Sequence, residues 1–410
     1  MRELSEYGKF ARYYKGRGKL IPESDDQEAV EYEFEAAQFV DGDMRLILLR
    51  EGDLQGMGTF KDHIHFEGST HDGRQFRAVG PVIINEHTVH MGSHNYHRPN
   101  LNLNANARVQ IGESEFIDDG EIRFSITNFK FDGTRGTSLD LQIDGLQVSI
   151  NQLPDYAERL KSLETSKGYD ITSELIIPLS QCTLEKAIEI ASRICDLLAI
   201  ARGRRVNWIF YEICDTADEI VYTEHRLPIL TPFTGFELID HMPPENTKNF
   251  VEECYAHCSS PIFTCDLNTI ANIHSNIHSG ASIEARCLLI CSMIDRFFLL
   301  TRRNYNKAGR NKKARRTTTR NKVKLVVRAY SVPIDIIEIN EYKELRNSLV
   351  HELEFIGAQG SSSKQYLELL HFYDRIVLRI LGYTGYYINW TRPEVWQGQQ
   401  TDKLTPKKHV

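Results

Sequence analysis

Apolar and polar residues alternate with a period of two through the first part of the chain. Val30, Tyr32 and Phe34 form one such run, and Ile122, Phe124, Ile126 and Phe129 surround another. This is the pattern of strands with one buried face. Further runs at 44–49, 63–66, 76–84 and 139–150 are punctuated by Asp-Gly and Glu-Gly turns, which predicts an antiparallel sandwich or barrel over residues 1–178. From about residue 179 the period becomes helical, with Leu184, Ala187, Ile188, Ala191, Ile194, Leu198 and Ala201 on one stripe. A short hairpin is expected over 207–226, and the segments LPILTPF and HMPPEN separate it from the C-terminal part of the chain. Residues 179–243 therefore read as a connecting helix and hairpin. Four helical patterns come next, at 246–258, 282–301, 340–355 and 361–381, which predicts a helical bundle over 244–385. The tail, 386–410, has little to bury from Trp390 onward, with Gln397, Gln399 and Gln400, and is expected to be mobile. The predicted class is α+β, an N-terminal antiparallel β-sandwich or barrel-like domain followed by a C-terminal α-helical bundle.

Composition narrows the class further. With 410 residues, 41% hydrophobic and 26% charged, the chain is long enough for two or three domains and unlike a disordered or collagenous one. Its longest apolar stretch, Cys287 to Ile294, meets Asp295 and Arg296 well short of the ~20 residues that span a bilayer. The first twenty residues carry charge throughout and lack the apolar core of a secretory signal. The eight cysteines then read as reduced thiols in a cytoplasmic protein. The net charge is -7, yet residues 302–328 hold twelve Lys or Arg and no acid, so the remainder carries -19. A local phosphate-seeking surface is implied, on a chain otherwise repelled by nucleic acid.

One constellation within the third helical pattern carries chemistry, Leu345-Arg346-Asn347-Ser348-Leu349-Val350-His351. An imidazole titrates near neutral pH, so His351 can give or take a proton. Arg346 offers a permanently charged planar fork to phosphate oxygens and suits the extra charge of a phosphorane-like transition state. Asn347 can orient either group. Five residues turn an ideal helix through about 500°, leaving Arg346 and His351 about 140° apart. The pair must therefore lie on a terminal or distorted turn, or line a cleft shared with a second copy of the helix.

Arg346-Asn347-x3-His351 inside a C-terminal helical bundle resembles the R-x4–6-H motif of the HEPN superfamily, in which a polar residue typically follows the Arg. With a β-rich half before the bundle, the chain is most similar to the ApeA-like branch, associated with anti-phage defence and abortive infection. The resemblance implies a metal-independent endoribonuclease with no cofactor, acting as a homodimer through the bundle. In it the RNA's own 2′-hydroxyl attacks the adjacent phosphate, leaving a 2′,3′-cyclic phosphate and a 5′-hydroxyl. Arg346, Asn347 and His351 would be the catalytic set, tRNA the leading substrate, and the β domain a sensor of a phage-derived trigger or a substrate guide. Within the basic run, Arg302, Arg303, Lys312, Lys313, Arg315, Arg316 and Arg320 are the expected RNA contacts.

Rival readings remain open at this level. Arg346 and His351 on a helix already explained by Leu345 and Leu349 would suit an inactive HEPN module that only binds RNA or a partner. The basic run would equally suit a solvated loop. Seven of fifteen histidines fall between His63 and His97, and His87, His90, His94 and His97 are weak candidates for a metal hydrolase centred on a histidine-rich loop. Cys254, Cys258 and Cys265 with His257 lack the paired spacing of a zinc ribbon and read as core residues. No G-x4-G-K-[ST] loop and no G-x-S-x-G elbow is present.

Overall fold

The computed structural model describes residues 8–22, 28–51, 63–91, 94–103, 107–112, 120–131, 138–228, 230–261, 263, 265–280, 282–307, 318–351, 355, 362–392 and 401–404, with backbone alone at 51, 84–91, 94–98, 304–307, 351 and 401. Strands β1 (Phe10–Leu20), β2 (Val30–Phe39), β3 (Met44–Glu51), β4 (His63–Thr70), β5 (Gln75–Met91) and β6 (His94–Leu103) come first. The long β5 hydrogen-bonds to β4 along its first half and to β6 along its second, so these six antiparallel strands close into a barrel. Alternation explains the filling: Tyr32, Phe34 and Ala36 of β2 point inward with Tyr14, Leu46, Phe66, Phe76 and Val109. Closure is tight where β1 crosses β4. A Cβ on Gly16, Gly18 or Gly68 would run into the backbone of the opposite strand.

The sheet continues beyond the barrel through β7 (Arg108–Gly112), β8 (Glu121–Thr127), β9 (Ser138–Ile143), β10 (Leu146–Gln152), β11 (Ile171–Pro178), β12 (Asn207–Cys214) and β13 (Ile220–His225). The order is β7-β13-β12-β8-β11-β10-β9. The expected hairpin at 207–226 thus forms as β12 and β13 and lies inside the sheet, bridging the barrel to the second half. Helix α1 (Tyr156–Ser166) flanks β11, and α2 (Leu184–Arg202) lies across β12 and β8. Thr183 caps α2 by accepting from the Lys186 N–H, and Gly203 ends it in the left-handed region at φ 60°. Twelve of its residues are buried, over more than one face. Such a helix has neighbours all round, here the sheet on one side and the bundle on the other.

That bundle comprises α3 (Pro244–Cys258), α4 (Leu267–Ser279), α5 (Ile283–Lys307), α6 (Thr319–Ala329), α7 (Ile336–His351) and α8 (Ser362–Ile380). One apolar core runs from β8 through α2 to α8, and each fully buried Leu, Ile or Phe in it contributes about 1.5–3 kcal/mol. Two sequence expectations are corrected. The basic run is not one loop: α5 continues to Lys307 and α6 begins at Thr319, burying Val323 and Val326 beneath its charges. Nor are the described residues of the tail, 386–392 and 401–404, without anchors. Strand β14 (Tyr386–Ile388) pairs with β15 (Thr401–Lys403), Trp390 donates its indole N–H to the Glu237 carbonyl at 2.7 Å, and Leu404 is buried.

His225, at the barrel's junction with β13, is enclosed by Tyr14 at 3.0 Å and by Gln38. Burial pushes its pKa down to about 3. The unfolded chain takes up a proton near pH 6.5 that the folded chain refuses, so His225 destabilises the fold as pH falls from about 6.5 toward 3. Denaturant melts should show stability dropping with acid by up to about 1.4 kcal/mol per pH unit from this residue alone. His225→Gln, with no titrating ring, should remove that share; an unchanged slope in the variant would refute the assignment.

Candidate functional site

Helix α7 starts with a reciprocal cap: the Asp335 carboxylate accepts from the N–H groups of Ile337 and Glu338, and Glu338 accepts from the Asp335 N–H at 2.9 Å. Its buried side is Ile339, Tyr342 and Leu349, and Tyr342 stacks on Phe372 of α8 at 5.0 Å. The next turn after Tyr342 brings Arg346 to α5. Its Nη2 donates to Asp295 at 3.0 Å, and Lys322 of α6 reaches the other oxygen of the same carboxylate at 2.9 Å. Burial opposes the Arg346 charge, but the Asp295 carboxylate outweighs it and raises the pKa. The Arg346 Nε is buried without a hydrogen-bond partner. Lys322 also lies over the Phe298 ring at 5.5 Å.

These contacts set a register. Tyr342 meets Cys291 and Arg346 meets Asp295, one turn further along both helices. Helices α5 and α7 therefore run parallel here. One turn on stand Leu299 and Val350, 50% and 39% exposed. Carrying that register on sets the end of α7, at His351, level with the basic C-terminal end of α5, where Arg302 is half-buried and Arg303 exposed. Helix α6 runs back from that same end, which places exposed Arg320 there too. Asn347 is exposed, and α7 is helical from Arg346 through to His351. The two therefore keep their divergence of about 140°, with His351 on the last turn.

Other candidates fall elsewhere. Lys312, Lys313, Arg315 and Arg316 lie outside the described residues, as do the side chains of His351, His87, His90, His94 and His97. The backbone at the last four is strand and not loop, a β5–β6 hairpin pairing His87 with Arg98 and His90 with Asn95. His65 hydrogen-bonds Glu67 at 2.9 Å. Cys254, Cys258 and Cys265 pack into the bundle, burial raising their thiol pKa values and keeping them protonated, and all eight cysteines are free. Sequence reasoning missed Asp295 as the partner of Arg346, a contact across 51 residues that no local pattern encodes. It also missed His274, His278 and Asp374, which α4 and α8 bring together in the core. The H-x3-H spacing in α4 and the Asp266 cap before it were the available signals.

The fold defines an α+β protein in which an antiparallel barrel and sheet lead into a six-helix array. A family model described as the YopA central domain matches residues 117–236. That span holds β8 to β13 with α1 and α2, and neither the barrel nor the helices that carry Arg346. No curated protein and no solved structure matches the chain. Among the described residues no helix is long and apolar enough to cross a membrane.

The shared carboxylate makes the two cations unequal to the anion. Arg346→Ala leaves Asp295 paired with Lys322 and should cost about 1 kcal/mol or less. Asp295→Ala strips both cations of their partner, leaving the partly buried Arg346 unpaired, and should cost more, about 1–3 kcal/mol. Urea melts of the two variants decide it; equal losses would mean that Asp295 does not organise the cluster.

Proposed function

We propose that the chain is a metal-independent endoribonuclease of HEPN type, ApeA-like in organisation. The observation that carries this reading is the junction of α5, α6 and α7. A guanidinium is held in place by Asp295 about one turn inside a helix end that carries His351, and the parallel register of α5 and α7 sets that end level with Arg302 and Arg303. Arginines around a helix end attract an RNA backbone. Arg346 would neutralise the non-bridging oxygens while His351 moves the proton of the attacking 2′-hydroxyl or of the leaving 5′-oxygen. The products would be a 2′,3′-cyclic phosphate and a 5′-hydroxyl. tRNA as substrate and anti-phage defence as setting follow from the resemblance alone, cytoplasm as location from the cysteines read as reduced thiols, with the barrel as sensor or guide.

The divergence of Arg346 and His351 supports a composite site in a homodimer. A second copy would bring its His351 toward the Arg346 of the first, and exposed Leu299 and Val350 beside Arg346 supply apolar surface for that contact. A second reading, an inactive bundle that only holds RNA or a partner, is favoured by one observation: Asp295 already engages the Arg346 fork.

Sequencing RNA ends from cells expressing wild type, Arg346→Ala or His351→Ala tests the first reading. Cleavage should vanish in both variants with melts close to wild type; cleavage that persists removes the catalytic assignment, and wild type without cleavage but with RNA bound favours the binding module. Co-expressing the two inactive variants should restore some cleavage, because a mixed dimer holds one site with both residues. Failure of rescue would argue for a site within one chain.

The basic end makes a separate claim. Each phosphate contact on single-stranded RNA adds about 0.7 to the slope of log affinity against log salt. Replacing Arg302, Arg303 and Arg320 by Gln should therefore flatten the slope by roughly 2 and leave the cleavage position unchanged. An unaltered slope would move the RNA to another surface.

A further inference from the structure

Away from Arg346, the middle of the bundle holds a second cluster. His274 and His278 stand four residues apart on α4, and α8 brings Asp374 against them, with none of the three more than 1% exposed. One ligand-type atom from each lies within 4.8 Å of the others. Each imidazole has one nitrogen committed to a backbone carbonyl: His274 Nε2 to Ile200 at 3.1 Å, and His278 Nδ1 to Phe236 at 2.7 Å. A carbonyl only accepts, so both of those nitrogens carry protons, and in neutral rings His274 Nδ1 and His278 Nε2 present lone pairs. The first is sealed from water with no hydrogen-bond partner. The second lies 2.9 Å from the Asp374 Oδ1. A lone pair and a carboxylate oxygen at that distance require a cation between them.

A shared proton meets that requirement, but it leaves His274 Nδ1 unpaired. A metal ion meets it and occupies His274 as well. Ring nitrogens that bind metals are usually oriented by a hydrogen bond from the opposite N–H to a carbonyl or carboxylate, and both histidines have that bond. We infer that His274 Nδ1, His278 Nε2 and Asp374 bind a divalent transition ion of the zinc class, which ties α4 to α8. Two imidazoles and a carboxylate suit zinc better than calcium or magnesium, which prefer oxygen ligands. Tetrahedral bonds of about 2.0–2.2 Å place ligand atoms roughly 3.4 Å apart, so the widest spacing need close by only about 1.4 Å at most. The site is enclosed, and the ion's role is to join the end of α2, the Phe236 segment, α4 and α8. It takes no part in the chemistry proposed for Arg346 and His351.

The test is zinc content of the full chain by elemental analysis after dialysis, followed by titration of metal-free protein with zinc and with cobalt(II). Wild type should hold one ion per chain and show the visible absorption of tetrahedral cobalt. Asp374→Asn keeps the side-chain shape and can donate to His278 Nε2, so it should fold and bind zinc more than about tenfold more weakly. His274→Gln gives the same reading with the carboxylate intact, should Asp374→Asn fail to fold. Wild type that takes up no zinc would leave a proton as the only cation in the cluster and overturn the inference. Zinc bound equally by wild type and both variants would also overturn it, since the ion would then sit elsewhere, as on the β5–β6 hairpin.

Discussion

The fold depends on how the end of α2 is buried. Arg202 has no exposed surface, yet its guanidinium donates to the carbonyls of Lys130 and Ile239 and to the Thr247 hydroxyl, and lies 5.3 Å from the Phe129 ring. Burial lowers its pKa to about 10, which still leaves it charged near neutrality. An unpaired buried guanidinium would be far too costly; the partners come from β8's outgoing loop, the segment before α3, and α3 itself. Arg204 and Arg205 repeat the device with Glu237 at 3.3 Å and Asp196 at 3.2 Å. Between them and Arg202, Gly203, at φ 60°, lets the Phe236 carbonyl and the His278 ring approach to where a Cβ would stand. Sheet, connecting segment and bundle meet at this one helix terminus, and each of the three can reach its partners only when the other two are in place.

The same logic, weaker and nearer to solvent, operates at the junction of α5, α6 and α7. Residues 302–328 concentrate positive charge in a chain whose balance is otherwise acidic. Asp295, about two helical turns before that run, is the anion around which Lys322 and Arg346 gather. It holds α6 and α7 against α5 with charge-assisted bonds. It also confines Arg346 to a defined position, which a side chain with many rotamers would not keep alone. The cost is that the fork is engaged. Any anion offered to the Arg346 Nη2 would have to compete with the Asp295 carboxylate for it.

Much of this architecture was legible as periodicity. Tyr32 and Phe34 announce β2 and the stripe from Leu184 to Ala201 marks α2, whereas the single run expected at 139–150 divides at Asp144-Gly145 into β9 and β10. Helices α3, α5, α7 and α8 were also visible, because an apolar stripe at 3.6-residue spacing needs no knowledge of its partner. Helix α6 was hidden by its own lysines and arginines, which outnumber the two valines it buries. Helix α4 was passed over because its interior face is partly polar, with His274, Ser275 and His278 in the core. The tail appeared to have nothing to bury because its anchor, the Glu237 carbonyl, lies 153 residues away.

The amino-acid sequence by itself determined the class of each half, the change of period near residue 179, the basic run, and the spacing that sets Arg346 and His351 on different sides of one helix. These are local properties, carried by residues within a turn or two of each other. Only the tertiary structure decided that β5 closes a barrel, that Asp295 is the partner of Arg346, and that His274, His278 and Asp374 share one enclosed space. The last two join positions 51 to 100 residues apart. Each places a buried polar side chain where a distant element supplies it a partner, Asp295 for Arg346 and Asp374 for His278, and that partner comes within reach only in the packed chain.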